Sequence, residues 1–366
     1  MIKRILTWTL ITFLSLVFIF FFIVFRQFSI KIYDSIVQNK HMKDLVAMYD
    51  ENYVPIDESQ FVNFDRFDNT VTLNDIQILA SHNSYKKKGS SLGRLFIGLG
   101  DSFAEARALN YGYYNLTTQF ESGIRSMEFD LRKRRDSFQL THVPLVDNSS
   151  VAPNFQMALQ EIYLYSSHNP SHIPMIFLIE VKEDWMILDH ALQTIENDEL
   201  NELNQLLKDE LKESLFTPGD MISPGLTLNQ TIQQQGWPTV SSLLGKVIFV
   251  LHPNNINEAY QAIDPTLSDL AMFIGSYDDD LNQDYTSFVI HNDVNVDRIK
   301  ELTDMGYIVR TRIDESLHFD ITRYQNAISS TAQILSSDFT IGRKDISSSD
   351  VIYLSNYTVI KKETLK

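Results

Sequence analysis

Two histidines and three carboxylates stand at or near the ends of apolar runs in the first half of the chain. The runs are Ile76-Gln-Ile-Leu-Ala-Ser-His82-Asn83, Met127-Glu128-Phe-Asp130-Leu131, Leu140-Thr-His142 and Ile176-Phe-Leu-Ile-Glu180-Val-Lys182. A polar group that terminates a buried strand projects into a shared site more readily than into a core. Two imidazoles can move protons near neutral pH, and clustered oxygen ligands can hold a hard cation. These are the parts for metal-assisted cleavage of a phosphodiester. Glu128 and Asp130 are two residues apart, so on a strand they share one face while Met127, Phe129 and Leu131 take the other. Such a pair is commonly a solvated edge. With apolar residues alternating, the acidic face must instead be satisfied, and a cation does this better than water alone.

The elements that must position these residues alternate. From Val71 onward, short β-branched or aromatic runs are separated by longer amphipathic stretches. Strands are expected at 76–81, 124–131, 137–143, 175–182, 246–252, 287–292, 307–313 and 333–337. Helices are expected at 154–167, 186–215, 295–304 and 320–331, with Gly306 as a helix C-cap. Eight strands interleaved with helices point to an α/β fold, a distorted TIM β/α barrel, with an open doubly wound sheet as the runner-up. In a barrel the C-terminal strand ends converge on one rim. His82, Asn83, Glu128, Asp130, His142 and Glu180 would then face one mouth. Gly98-Leu-Gly100 lacks a preceding strand and reads as a flexible loop rather than a nucleotide-binding turn.

Composition sets outer bounds. The chain has 366 residues, 44% of them hydrophobic, which supports a sizeable core. Its net charge of −16 argues against nucleic acid as a general partner. Cysteine is absent, so neither disulfides nor thiolate metal sites are possible. Ile5 to Phe25 is an uncharged run of 21 apolar or hydroxyl residues, about 30 Å as a helix, which matches a bilayer core. No small-x-small cleavage site follows it, so an uncleaved anchor is expected, with secretion after signal cleavage as the alternative. Lys3 and Arg4 before the run and Arg26 and Lys31 after it favour an inside N-terminus and an extracytoplasmic catalytic domain. The expected organisation is a transmembrane anchor over 1–26, a stalk over 27–70 that is partly helical around 33–49, a barrel over 71–342, and a tail over 343–366 that is frayed or adds an edge strand.

Beyond these expectations, the motifs resemble a known family. Ser81-His-Asn-Ser-Tyr85, Gln119-Phe-Glu-Ser-Gly-Ile-Arg-Ser-Met-Glu-Phe-Asp130, Thr141-His142 and Ile179-Glu-Val-Lys182 resemble the X-type catalytic core of phosphatidylinositol-specific phospholipases C. Asn169-Pro-Ser-His-Ile-Pro174, Gly236-Trp-Pro-Thr239, Gly245-Lys-Val-Ile-Phe249 and Val309-Arg-Thr-Arg-Ile-Asp314, followed by Ser336-Ser-Asp338, narrow the likeness to the bacterial-type calcium-dependent phosphoinositide phospholipase C family. The likeness runs from about Leu73 to Ile341. It implies attack of the inositol 2-hydroxyl on phosphorus, loss of diacylglycerol, and a cyclic inositol phosphate as the first product. It implies that His82 supports the pentavalent transition state or acts near the base, and that His142 is the general acid. Asn83, Glu128, Asp130 and Glu180 match the calcium ligands, Glu128 being a second candidate for the base. Lys182, and more weakly Arg310 and Arg312, match phosphate contacts. The implied partners are a phosphoinositide lipid and a membrane.

Other readings are blander. His41, His190, His252, His291 and His318 read as surface or satisfied core residues, and His168 and His172 as structural. Lys86-Lys-Lys88 reads as a solvated loop, or as a contact with anionic lipid head groups. Lys182 could simply pair with Glu183 or Asp184, and Asn83 alone would read as a turn residue. Two other functions compete. A glycerophosphodiester phosphodiesterase would want His-Arg-Gly where the chain has His82-Asn83-Ser84. A non-catalytic lipid-binding barrel would have lost its ligands first.

Overall fold

The computed structural model describes residues 2–50 and 53–362. Eleven strands form one sheet: β1 Ile76–Ser81, β2 Ser126–Arg134, β3 Ser137–Leu140, β4 Met175–Val181, β5 Leu192–Gln193, β6 Val247–Leu251, β7 Met272–Tyr277, β8 Phe288–Ile290, β9 Ile308–Arg312, β10 Ile334–Ser337 and β11 Val359–Lys361. Eight of them are parallel and close a barrel in the order β1-β10-β9-β8-β7-β6-β4-β2, returning from β2 to β1. The barrel is distorted at that seam. Only Ala80 and Ser81 of β1 pair with β2, while Ile76 to Ile78 pair antiparallel with β11. The C-terminal stretch therefore supplies an edge strand that covers the open half of the seam.

The barrel interior is filled by Ala80, Ile176, Leu178, Val250, Phe288, Ile290 and Ile334, with Glu128 and Arg310 closing its upper end. Helices surround it: α1 Ile2–Asp50, α2 Ser91–Gly100, α3 Phe103–Ala108, α4 Leu116–Glu121, α5 Phe155–His168, α6 Asn197–Leu211, α7 Leu228–Gln235, α8 Asn257–Gln261, α9 Val296–Asp304 and α10 Ile321–Ser329. Local chemistry sets their ends. The Asn154 side chain accepts from Met157 N to cap α5, and Asn295 accepts from Arg298 N to cap α9. Gly306 follows α9 at φ +91°, the left-handed end that glycine favours.

Several expectations are corrected. The run 137–143 is not a barrel strand. The chain reverses at Arg135 (φ +51°), and β3 pairs antiparallel with Leu131 to Arg134 of β2. His142 thus stands in the loop after a hairpin. The eighth barrel strand is β7, whose Gly275 reads in sequence as a strand breaker. That glycine is required because a Cβ there would lie 2.9 Å from the Leu251 carbonyl oxygen. The expected helix over 186–215 begins only at Asn197, where a reciprocal Glu196/Glu199 capping box starts α6. Gly98 and Gly100 belong to α2, capped by Ser90 accepting from Gly93 N, and not to a loop.

The segment after the apolar run is helical throughout as the second half of α1. Gln27, Asp34, Gln38, Leu45 and Tyr49 form one buried stripe at helical spacing against the barrel. Its amide and carboxylate members are each paired, while the buried Tyr49 hydroxyl makes no hydrogen bond. The Gln38 amide donates to Asn154 O (3.0 Å) and accepts from Asn154 N (2.8 Å). Asp34 accepts from Lys87 Nζ at 2.7 Å and Ser150 N at 3.2 Å. His41 meets Glu161 Oε1 at 2.9 Å.

Candidate active site

The residues singled out from the sequence line one cleft of about 230 Å³ at the C-terminal mouth of the barrel. His82, Asn83, Asp130, His142, Glu180, Lys182 and Arg312 are all on its wall. His82 and Asn83 follow the end of β1, and Asn83 turns the chain at φ +50°, a conformation asparagine tolerates better than most residues. Asp130 and Glu180 are directly paired neighbours on β2 and β4. Glu128, one inward position below Asp130, and Arg310 of β9 meet at 2.5 Å on the floor of the cleft. Glu180 holds Lys182 at 2.5 Å, so the lysine does not pair with Glu183 or Asp184.

Each histidine has a buried carboxylate behind it. His82 Nδ1 is 2.9 Å from Asp338 Oδ1, and His142 Nδ1 is 3.2 Å from Asp147 Oδ2. A carboxylate at Nδ1 assigns the proton to that nitrogen and leaves Nε2 free to exchange one. The two Nε2 atoms stand 3.7 Å from Glu128 Oε1 and 3.9 Å from Asp130 Oδ2. Asp147 is also held by Lys86 at 3.1 Å, which corrects the expectation of a solvated lysine loop. Lys86 is fully buried and supplies the positive charge that the acid enclosed behind His142 requires, while Lys87 and Lys88 stay half exposed against Asp34 and Asp345.

The electrostatics divide the acids. Burial would raise Glu128, but Arg310, His82, His252 and Arg312 together bring it down to about 2. Asp130 goes the other way. Burial, with Glu180 and Glu128 nearby, lifts its carboxyl above the ordinary value against the pull of Lys182 and His142. A buried carboxylate whose charged form is disfavoured by burial is a group that gains from a cation.

The donors suit calcium. Asn83 Oδ1 and Asp130 Oδ1 are both buried and make no hydrogen bond, which leaves two hard oxygens unsatisfied in the same cleft. Among the described residues, no three histidine or acidic groups already stand at metal-ligand spacing. The reason is visible in the side chains: Arg310 occupies Glu128 and Lys182 occupies Glu180, so two protein cations balance the acids.

Asp338, Asp147, Tyr85 and Tyr111 were given no role from the sequence, although Tyr85 and Asp338 stand within the quoted motifs. Tyr85 donates to Asp130 Oδ2 at 2.9 Å, and the Tyr111 hydroxyl is 3.4 Å from His82 Nδ1. Asp338 had a signal, as an acid just past the last barrel strand. Asp147 had none, because it lies in an irregular loop.

Comparisons with known proteins bear on the family and the fold. A family model described as "Phosphoinositide phospholipase C, Ca2+-dependent" matches residues 71–136 and 132–363. The chain is similar to the apo form of a calcium-dependent phosphoinositol-specific phospholipase C from a Gram-negative Pseudomonas species. Identity is 17% and the TM-score 0.57, over 83% of this chain and 99% of that one. It is also similar to a calcium-dependent phosphatidylinositol-specific phospholipase C from Streptomyces antibioticus, at 15% identity and TM-score 0.54, over 73% and 95% of the two chains. No curated protein matches the chain.

Proposed function

Because the chain belongs to the calcium-dependent phosphoinositide phospholipase C family, a family of phosphoric diester hydrolases, we propose that His82 and His142 carry the two proton transfers of phosphatidylinositol cleavage. The observation that supports this reading is the pair of Nδ1-anchored imidazoles sharing one cleft with the unsatisfied Asn83 and Asp130 oxygens. His82 Nε2 faces the nucleophile side and receives the proton of the inositol 2-hydroxyl as that oxygen bonds to phosphorus. Asp338 stabilises the imidazolium that forms. His142 Nε2 faces the leaving-group side and gives a proton to the diacylglycerol oxygen as its bond to phosphorus breaks. Glu128, held near 2 by Arg310, is a weak base beside them. Asn83, Glu128, Asp130 and Glu180 are the residues that would hold calcium. The ion supplies positive charge that acidifies the hydroxyl and offsets the phosphoryl oxygens. Lys182 and Arg312 line the same cleft and bind phosphate, while Arg310 acts through Glu128.

The N-terminal helix is read as a retained membrane anchor with the barrel on the extracytoplasmic side. An 18-residue window of mean hydropathy 2.6 within it is 0% buried, which supports lipid rather than a protein core as its surroundings.

The test is a product assay on phosphatidylinositol. Wild type releases a cyclic inositol phosphate with calcium and none after chelation. His142→Ala loses roughly 10²–10⁴ in kcat while its circular dichroism is unchanged. Full turnover by that variant rejects the assignment.

A further inference from the structure

A second cavity, of about 470 Å³, opens beside the catalytic cleft and differs from it in character. Its lining is mostly apolar, with Asp101, Glu105 and Asp184 among the exceptions, and one wall is the last part of the apolar run of α1, namely Phe20, Ile23 and Val24. The opposite wall is Ile97 of α2, the loop around Leu145, and Trp185. His142, Glu105 and Leu109 line both this groove and the catalytic cleft, so the two are continuous. The groove opens on the side of His142, where the leaving group departs.

We propose that this groove seats the acyl chains of the diacylglycerol lipid that is cleaved, so that the barrel takes substrate from the membrane its own helix traverses, in the leaflet at the C-terminal end of the apolar run. The inference rests on the reading of His142 as leaving-group acid and of α1 as a membrane helix.

Four further observations carry it. The groove volume is that of a ligand pocket, roughly 300–1,000 Å³. Its rim continues into exposed apolar side chains, with Leu99, Phe103, Trp185 and Ile187 facing outward and Ile187 77% exposed. A soluble surface does not usually gather such a set, and an interface with hydrocarbon does. Trp185 and Leu145 are both held at positive φ, +56° and +66°, where large side chains are rare. Strain at two apolar residues of one groove points to a shape maintained for an occupant. Finally, α1 is locked to the barrel at the groove's base. The Gln27 amide donates to Leu145 O at 3.1 Å and accepts from Ser90 Oγ at 3.0 Å, and Asn148 Nδ2 donates to Gln27 O at 3.0 Å. The groove is thus a built feature of both parts and not a chance gap beside a loose helix.

The full chain, reconstituted in phosphatidylcholine vesicles with calcium, tests this in two arms. In the first, phosphatidylinositol carrying a photoactivatable acyl chain is cross-linked and mapped by mass spectrometry. Cross-links are expected at Ile97, the 143–146 loop and Trp185. Cross-links confined to the outer faces of residues 5–22 overturn the proposal, as does labelling of a second copy of the chain. In the second arm, Ile97→Trp and Val24→Trp fill the groove. The ratio of kcat/KM on the diacyl lipid to that on chain-free glycerophosphoinositol should fall roughly tenfold or more. An unchanged ratio overturns the proposal. Should wild type cleave neither substrate, the acid–base reading fails, and the cross-link map still decides the groove.

Discussion

His82 Nδ1 and Asp338 Oδ1 lie 2.9 Å apart at the barrel mouth although the residues are 256 positions apart in sequence. Burial would raise the Asp338 carboxyl, but His82 and Arg312 outweigh it and hold it below its ordinary value. The group is therefore anionic at neutral pH and fixes the ring. Asp338→Asn offers an amide donor to Nδ1 and favours the wrong tautomer. The expected loss in kcat is roughly 10² or more, with KM little changed. Steady-state kinetics and the histidine nitrogen shifts by NMR check it, and an unaltered kcat refutes the positioning role.

Calcium should stabilise the folded chain as well as activate it. A ligand at a hundred times its Kd adds about 2.7 kcal/mol, so the thermal midpoint should climb with calcium concentration. Glu180→Gln removes one of the proposed ligand charges and frees Lys182, and its midpoint should respond only at about tenfold or more higher calcium. Calorimetric titration gives the affinities directly. Equal calcium affinity in the variant removes Glu180 from the ligand set.

His172 makes stability fall in mild acid. It is fully buried, with its two ring nitrogens at Ile173 O and Ser166 Oγ, and burial together with Arg125 lowers its pKa from 6.5 to about 4. The folded chain keeps this ring neutral while the unfolded chain protonates it. Its contribution is complete above pH 6.5 and is lost as pH falls toward 4, by up to about 3 kcal/mol. Urea midpoints between pH 7 and 4 should show the decline, and His172→Asn should flatten it.

Beneath the barrel, Arg125 is buried against Glu58 and also donates to Phe120 O at 2.7 Å, Ile124 O at 2.9 Å and the Tyr165 hydroxyl at 3.1 Å. Arg125→Met leaves Glu58 enclosed without its partner and should cost about 3–5 kcal/mol. The double variant Arg125→Met/Glu58→Leu should recover part of that loss. A single variant with wild-type stability contradicts the pairing.

What the sequence disclosed follows period and chain proximity. β6 is an uninterrupted apolar run and β1 and β4 are nearly so, and all three were legible, as were the acids alternating on β2. β7 was hidden by Gly275, which exists for a close backbone approach that only the closed barrel creates. The hairpin of β2 and β3 imitated two successive barrel strands. Helix around 33–49 was legible, but its continuity with the apolar run was not, because the buried stripe is built from Gln27, Asp34 and Gln38, whose partners lie more than 50 residues away. The histidines and acids were found because they lie in or just after apolar runs, although His142 proved to follow a hairpin and not a barrel strand. Their carboxylate supports, Asp338 and Asp147, became meaningful only when the fold brought them behind the rings.

The helix from Ile2 to Asp50 has no break. Its 25 residues past the apolar run extend about 37 Å along the barrel wall, gripped by side-chain amides and ion pairs. A rod of this kind acts as a lever arm. With the apolar run seated in a bilayer as proposed, a bilayer thinner or thicker than the run would tilt the rod, and without a hinge the tilt would swing the barrel's opening toward or away from the head groups. On the proposed reading of the apolar run as an anchor, membrane thickness would be a mechanical input to turnover.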